Sequence, residues 1–285
     1  MDPVSDNPAV AEPGNAVPAV QLQGARLAFG SRTVWDGLDL AIAPGEFIAV
    51  LGPNGAGKTS LLKILLGQLP LTAGTVRIAG RPVRRGSSRI GYVPQQRAFD
   101  PGLPVRARDL VGFGIDGHRW GLTRPDRGGR VRRRTVDAAL ATVGASGYAD
   151  APVGLLSGGE QQRLRIAQAL VTDPDVLLCD EPLLSLDLAH QQAVSNLIDR
   201  RRQDADTAVV FVTHEINPIL SMVDRVLYLA GGSFRIGPPE RVMTSAVLSE
   251  LYGTPIDVLR AGDRIVVLGT DHHVHHGDHD EIEVI

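Results

Sequence analysis

Lysine is nearly missing from this 285-residue chain: Lys58 and Lys63 are the only two, and the other 27 of its 29 basic residues are arginines. We read the bias as a habit of composition. Cysteine is scarcer still. Cys179 stands alone, so no disulfide can form within the chain and nothing points to an oxidising compartment. Aromatic residues reach only 4%, and the net charge is −3, so no overall field draws the chain to nucleic acid. No apolar run approaches the roughly 18 residues needed to span a bilayer. The first twenty residues have no basic start and no apolar stretch, so no secretory signal is expected there. These absences predict a soluble, cytoplasmic chain that reaches a membrane only through a partner. With 43% hydrophobic residues there is ample material for a core.

Residues 1–19 are rich in Pro and Ala without periodicity, and are expected to be a disordered lead. Strands are predicted at Gln21–Phe29 and Leu38–Ala43 around a loop. A short apolar run at Phe47–Leu51 predicts a buried parallel strand. A helix is expected over Ser60–Leu69, and strands at Val76–Ala79 and Ile90–Val93. The chain then changes character over 98–156, with helices predicted at Asp109–Phe113 and Val131–Val143. Between them, GIDGHRWGLTRPDRGGRVRRR reads as a solvated, arginine-rich loop, with specific docking as the alternative. Alternation of strands and helices returns after Gly158. Helices are expected at Gly158–Val171, Leu188–Arg202 and Thr244–Tyr252. Strands are expected at Val176–Cys179, Ala208–Val212, Arg225–Leu229, Ile256–Leu259 and Arg264–Leu268. This pattern predicts an α/β fold, a parallel sheet with helices on both faces.

Gly52-Pro53-Asn54-Gly55-Ala56-Gly57-Lys58-Thr59 fits GxxxxGK[ST], with an apolar strand before it and a helix pattern after it. Glycines let a backbone fold around an anion with its N–H groups pointing inward, and a helix N-terminus adds a positive dipole end. Lys58 can reach the outer phosphates as a point charge, and Thr59 can offer its hydroxyl to Mg²⁺. Ser60 follows in the same first helical turn. By itself the loop says only nucleoside triphosphate. A second apolar run, Val176–Cys179, ends in Asp180 and Glu181. Ligands of open α/β sheets sit at strand carboxyl ends. Asp180 is therefore placed to hold Mg²⁺, and Glu181 to deprotonate an attacking water.

Leu156-Ser157-Gly158-Gly159-Glu160 opens a helix-period run and could bring a phosphate to a second helix N-terminus. With GPNGAGKT before it and VLLCDEP after it, this segment resembles the signature, Walker A and Walker B set of ATP-binding-cassette (ABC) ATPases. The resemblance covers residues 20–245. It implies a P-loop NTPase (RecA-like) core with an antiparallel β subdomain and an inserted α-helical signature subdomain at 97–156. It also implies that Phe29 stacks on adenine, with Trp35 as fallback. Gln95, or else Gln96, matches the glutamine loop that touches Mg²⁺ and water and faces the transport partner. Asp187, in Ser185-Leu186-Asp187, matches the loop that crosses between subunits. His214 matches the switch histidine at the γ-phosphate.

The resemblance further implies a head-to-tail dimer in which Lys58 of one copy and Ser157, Gly158 and Gly159 of the other enclose each ATP. One copy of each motif is present, so a second cassette is needed, most simply the same chain. The cassette would lie on the inner face of the cell membrane, attached to an integral permease and working indirectly with a metal-binding solute receptor. An ABC importer ATPase for another substrate is one alternative, and a soluble ABC ATPase of translation or repair is the other. Proteins of the second kind carry tandem cassettes or inserted coiled coils, and this chain shows neither. The stretch after His214, with its Ile-Asn-Pro-Ile and Leu-Tyr-Gly-Thr runs, is similar to zinc and manganese importer cassettes. Residues 246–270 read as a short C-terminal extension and 271–285 as a disordered tail. His272, His273, His275, His276 and His279 crowd that tail among carboxylates, a donor set suited to Zn²⁺, Ni²⁺ or Cu²⁺.

Overall fold

Five consecutive apolar residues, Phe47–Leu51, form β3, and all five are buried. That demands cover on both faces of the sheet, and β3 sits near its middle. In the computed structural model, which describes residues 17–95, 98–116 and 127–269, β3 pairs in parallel with β8 (Ala208–Val212) on one side and β9 (Arg225–Ala230) on the other. Next to β8 lie β7 (Val176–Asp180) and then β6 (Ile90–Val93), both parallel. A short antiparallel β10 (Ser233–Gly237) closes the far edge, giving the order β10-β9-β3-β8-β7-β6.

Alternate residues of these strands enter two different cores. Phe47, Ala49, Leu177, Cys179, Val209 and Phe211 face one core. There α4 (Gly158–Leu170) and α5 (Leu188–Ala205) lie on the sheet, and α2 (Ala107–Asp116) and α3 (Arg127–Thr142) pack on α4. The Phe47 and Phe211 rings stack with centroids 5.6 Å apart, each burying about 2–3 kcal/mol worth of apolar surface. Ile48, Val50, Val176, Leu178, Val210 and Val212 face the other core. That side is closed by α1 (Lys58–Leu65) and by a four-stranded antiparallel sheet of β2 (Arg32–Ile42), β1 (Val20–Phe29), β4 (Ala73–Ile78) and β5 (Arg81–Pro82). The expected cover of helices on both faces therefore holds on one face only. On the other, a single helix shares the work with a sheet.

Other differences concern where elements begin and end. No loop separates β1 from β2. A tight turn at Gly30-Ser31 joins them, and register shifts along β1 absorb the irregular alternation that hid the hairpin. The predicted basic loop is partly helical, since α2 runs on to Asp116 and α3 starts at Arg127. Arginine is a good helix former, and Val136 and Leu140 anchor that helix to the core. Residues 117–126 lie outside the described set, as do 1–16 and the histidine tail. Two short elements, β5 and α6 (Pro239–Val242), carry no period that could reveal them. After α7 (Ser245–Tyr252), β11 (Ile256–Ala261) and β12 (Arg264–Gly269) form a hairpin. Asn217 pins β12 by bonding both the N–H and the carbonyl of Ile265. No helix among the described residues is long and apolar enough to cross a membrane.

Candidate nucleotide site

The turn from β3 into α1 is shaped by what its glycines must avoid. Gly52 has φ 137°, and a Cβ there would stand 2.0 Å from the Leu229 carbonyl oxygen. Gly57 has φ 98°, and its Cβ would meet Val34 Cγ1 at 2.6 Å and Trp35 Nε1 at 2.8 Å. Only glycine fits either place. The loop thus curls tightly over β9 and β2 before α1 begins. Trp35 is fully buried beneath it, so the fallback adenine platform is corrected: its ring is core. Phe29, at the end of β1, is 52% exposed and keeps a free face. Arg32 stands beside the loop, in the wall of a concavity of about 310 Å³ that also includes Pro53, Asn54, Gly55 and Ala56.

Lys58, the first residue of α1, turns back into the loop. Its Nζ donates to the Gly52 carbonyl at 2.6 Å and to the Pro53 carbonyl at 3.0 Å. Burial lowers its pKa, and the charges of Glu181 and Asp180 work against that. Thr59 follows and is exposed. Opposite, β7 ends in buried Asp180. Burial raises the Asp180 pKa, and the adjoining Glu181 raises it further. The Tyr92 hydroxyl donates to Asp180 Oδ2 at 3.4 Å, and burial and that carboxylate together push the phenol up to about 12.

Glu181 stands in a left-handed backbone conformation, φ 49°, uncommon for a residue with a Cβ. Its N–H donates to the Val212 carbonyl, which ties the end of β7 to β8. Its two oxygens are both engaged. Gln95 Nε2 donates to Oε2 at 3.0 Å, and His214 Nε2 lies 2.6 Å from Oε1. Lys58, Gln95, the adjacent pair Asp180 and Glu181, and His214, drawn from four places in the chain, thus meet at the carboxyl ends of β3, β6, β7 and β8. Gln96, the other candidate, lies outside the described residues. A hard divalent cation suits this donor set of carboxylate, amide and hydroxyl oxygens. Burial, and then Glu181, disfavour the Asp180 anion, a cost that a bound Mg²⁺ would offset.

A second group forms around two helix starts. Ser157 caps α4: its Oγ accepts from the Glu160 N–H, and the Glu160 carboxylate accepts from the Ser157 N–H at 2.8 Å. That reciprocal pair holds the turn before Gly158 and Gly159 rigid. Asp187 caps α5 through the His190 N–H, and its other oxygen lies 2.7 Å from His190 Nδ1. A Cβ on Gly159 would strike the His190 ring at 2.3 Å, so α4 and α5 touch there. Tyr92 and His190 were missed by sequence reasoning, and Glu160, though quoted in the signature run, was given no role. Tyr92 sits three residues before Gln95, but nothing local says that its hydroxyl reaches Asp180. Among the described residues no cluster of three His, Cys, Asp or Glu could hold a transition metal, and the five tail histidines lie outside them.

Residues 35–184 match the family described as ABC transporter. The zinc transport system ATP-binding protein TroB of Treponema pallidum is 36% identical over 82% of this chain and 87% of its own length. The hemin import ATP-binding protein HmuV of Streptomyces coelicolor is 36% identical over 91% of this chain and 92% of its own. Among solved structures, an inward-facing ABC transporter described as of metal-chelate type superposes with a TM-score of 0.73. It is 26% identical, over 88% of this chain and 96% of that one.

Proposed function

Since this chain belongs to the ABC transporter family as an ATP-hydrolysing subunit, we propose that it energises import of a divalent transition metal, zinc before manganese, through a separate membrane permease. The kinship with a zinc-system ATPase over most of both chains supports the cargo, together with the metal-importer character of the stretch after His214. In this reading Phe29 stacks on adenine and residues 52–60 cradle the phosphates. Lys58 trades its two carbonyl partners for phosphate oxygens. Thr59, Gln95 and Asp180 would hold Mg²⁺, which screens the phosphate charge. Glu181 takes the proton of the attacking water, oriented by Gln95, and His214 serves the γ-phosphate. Ser157, Gly158 and Gly159 meet the ATP of a second copy, with Asp187 at the crossing. The helical segment 97–156, with Gln95, receives the permease. That attachment holds the cassette on the inner face of the cell membrane, and a metal-binding receptor delivers cargo from the other side.

The hemin-system relative favours a second reading, import of an iron chelate. One experiment separates them. A strain lacking the gene is grown under chelation and supplied with zinc, manganese or hemin. Slow growth rescued by zinc supports the first reading, and rescue by hemin alone transfers the proposal to the second. Normal growth and normal cell zinc and manganese, with no redundant importer, would end it.

A further inference from the structure

Many arginines of this chain meet a carboxylate. Arg89 pairs with Asp175, Arg108 with Asp150, Arg202 with Asp199 and Arg225 with Glu46. Others meet none among the described residues, and three of these are close neighbours in sequence. The guanidinium groups of Arg81 in β5 and of Arg84 and Arg85 just after it have no ion-pair or hydrogen-bond partner among the described residues. They line a cavity of about 570 Å³, together with Ser87, Ser88 and the paired Arg89. No carboxylate lines it. Its size suits a nucleotide-scale ligand.

The cavity is held at both ends by backbone. Gly67, just past α1, has φ 68°, and a Cβ there would lie 2.9 Å from the Arg85 amide nitrogen and 3.1 Å from the Arg84 carbonyl carbon. The arginine loop is therefore seated directly on the turn that ends α1. At the other end, Thr172 Oγ1 donates to the Ser88 carbonyl at 3.2 Å, and the Val176 N–H donates to the Arg89 carbonyl at 3.1 Å. The eight-residue helix α1, about 12 Å long, has Lys58 at its first position and this place beyond its other end. It is not part of the site at the strand ends.

Three exposed guanidiniums of like charge share one concavity, with only solvent to screen their repulsion, and the chain as a whole is acidic, so the field is local. A polyanion removes that repulsion. Guanidinium forks match phosphate oxygens two at a time, and serine hydroxyls fit the remaining lone pairs. We propose that this cavity binds a small molecule carrying two or more phosphate groups, at a site separate from the phosphate-binding loop.

The test uses the full chain with Lys58→Ala, which silences the loop, titrated calorimetrically with inorganic tripolyphosphate. One binding event is expected. Adding Arg81→Gln, Arg84→Gln and Arg85→Gln should weaken it about tenfold or more, since even one charge-assisted bond can carry a factor of that size. The matched triple on α3, Arg130→Gln, Arg133→Gln and Arg134→Gln, should leave affinity within about twofold. With Lys58 intact, the cavity triple should keep basal ATP hydrolysis, which reports a folded chain. If it does not, Arg84→Lys with Arg85→Lys keeps the charge and removes the forks, and should still weaken binding several-fold. The proposal is overturned if there is no binding event, if the cavity variants bind as tightly as their parent, or if the α3 triple loses as much.

Discussion

Glu181 carries the most constraint per atom at the site. Its backbone is left-handed, its N–H is tied to β8, and both carboxylate oxygens are engaged. Glutamine fills the same volume but cannot accept a proton. Glu181→Gln is therefore expected to bind ATP while turnover falls about 10²-fold or more, with an ATP-bound dimer accumulating on size exclusion. Hydrolysis at the parental rate would remove the residue from the proposed role. Asp180 yields a prediction about pH. Burial, then Glu181, raises its folded pKa above the ordinary 3.8, so the native state holds the proton more tightly than the unfolded chain. Stability contributed by this group is therefore present at low pH and lost as pH rises from 3.8 through the raised value. Asp180→Asn should flatten that loss in urea unfolding of the nucleotide-free chain followed upward from pH 3.8. An unchanged slope would show that Asp180 is not the group that titrates.

At the scale of elements, helix starts do the positioning. The capping box of Ser157 and Glu160 satisfies donors at the start of α4 that would otherwise be orphaned. Ser157→Ala should cost about 1 kcal/mol in urea unfolding. Ser157→Arg should leave nucleotide binding to the monomer intact but stop hydrolysis, because the side chain fills the space proposed for the second copy's γ-phosphate. Loss of monomer binding would instead put Ser157 in its own chain's site. The same element scale explains which boundaries could be read. β3, β7 and β8 are continuous apolar runs, and their limits were nearly right from sequence. β2 was read short because Val34 and Trp35 pack inward beneath the loop, in a stretch whose alternation is interrupted by register shifts.

For the molecule as a whole, the described residues end at Gly269, and the tail histidines lie beyond. Their chemistry still makes a prediction. Several imidazoles on one short segment can take Zn²⁺, with affinity falling as they protonate below about pH 6.5. Deleting residues 271–285 should leave basal ATP hydrolysis intact and remove zinc binding measured by calorimetry. Zinc binding that survives the deletion would move the site elsewhere. The candidate site itself needs the whole sheet, for Lys58 and His214 stand 156 residues apart in sequence and meet Glu181 only because β3, β7 and β8 are neighbours.

Sequence alone determined the phosphate-binding turn, the acidic strand end and the serine-capped helix, because each is a local pattern whose chemistry lies in consecutive residues. It also carried the family resemblance through motif order. Tertiary structure decided the rest. Strand order brought Gln95 and His214 onto one carboxylate, a distance no spacing encodes. Burial turned Trp35 from a possible platform into core and lifted the pKa of Asp180. Tyr92 reached Asp180 because β6 lies parallel to β7 at that register. Three arginines that looked like surface composition became the lining of one cavity, because a glycine at the end of α1 let their loop settle against it.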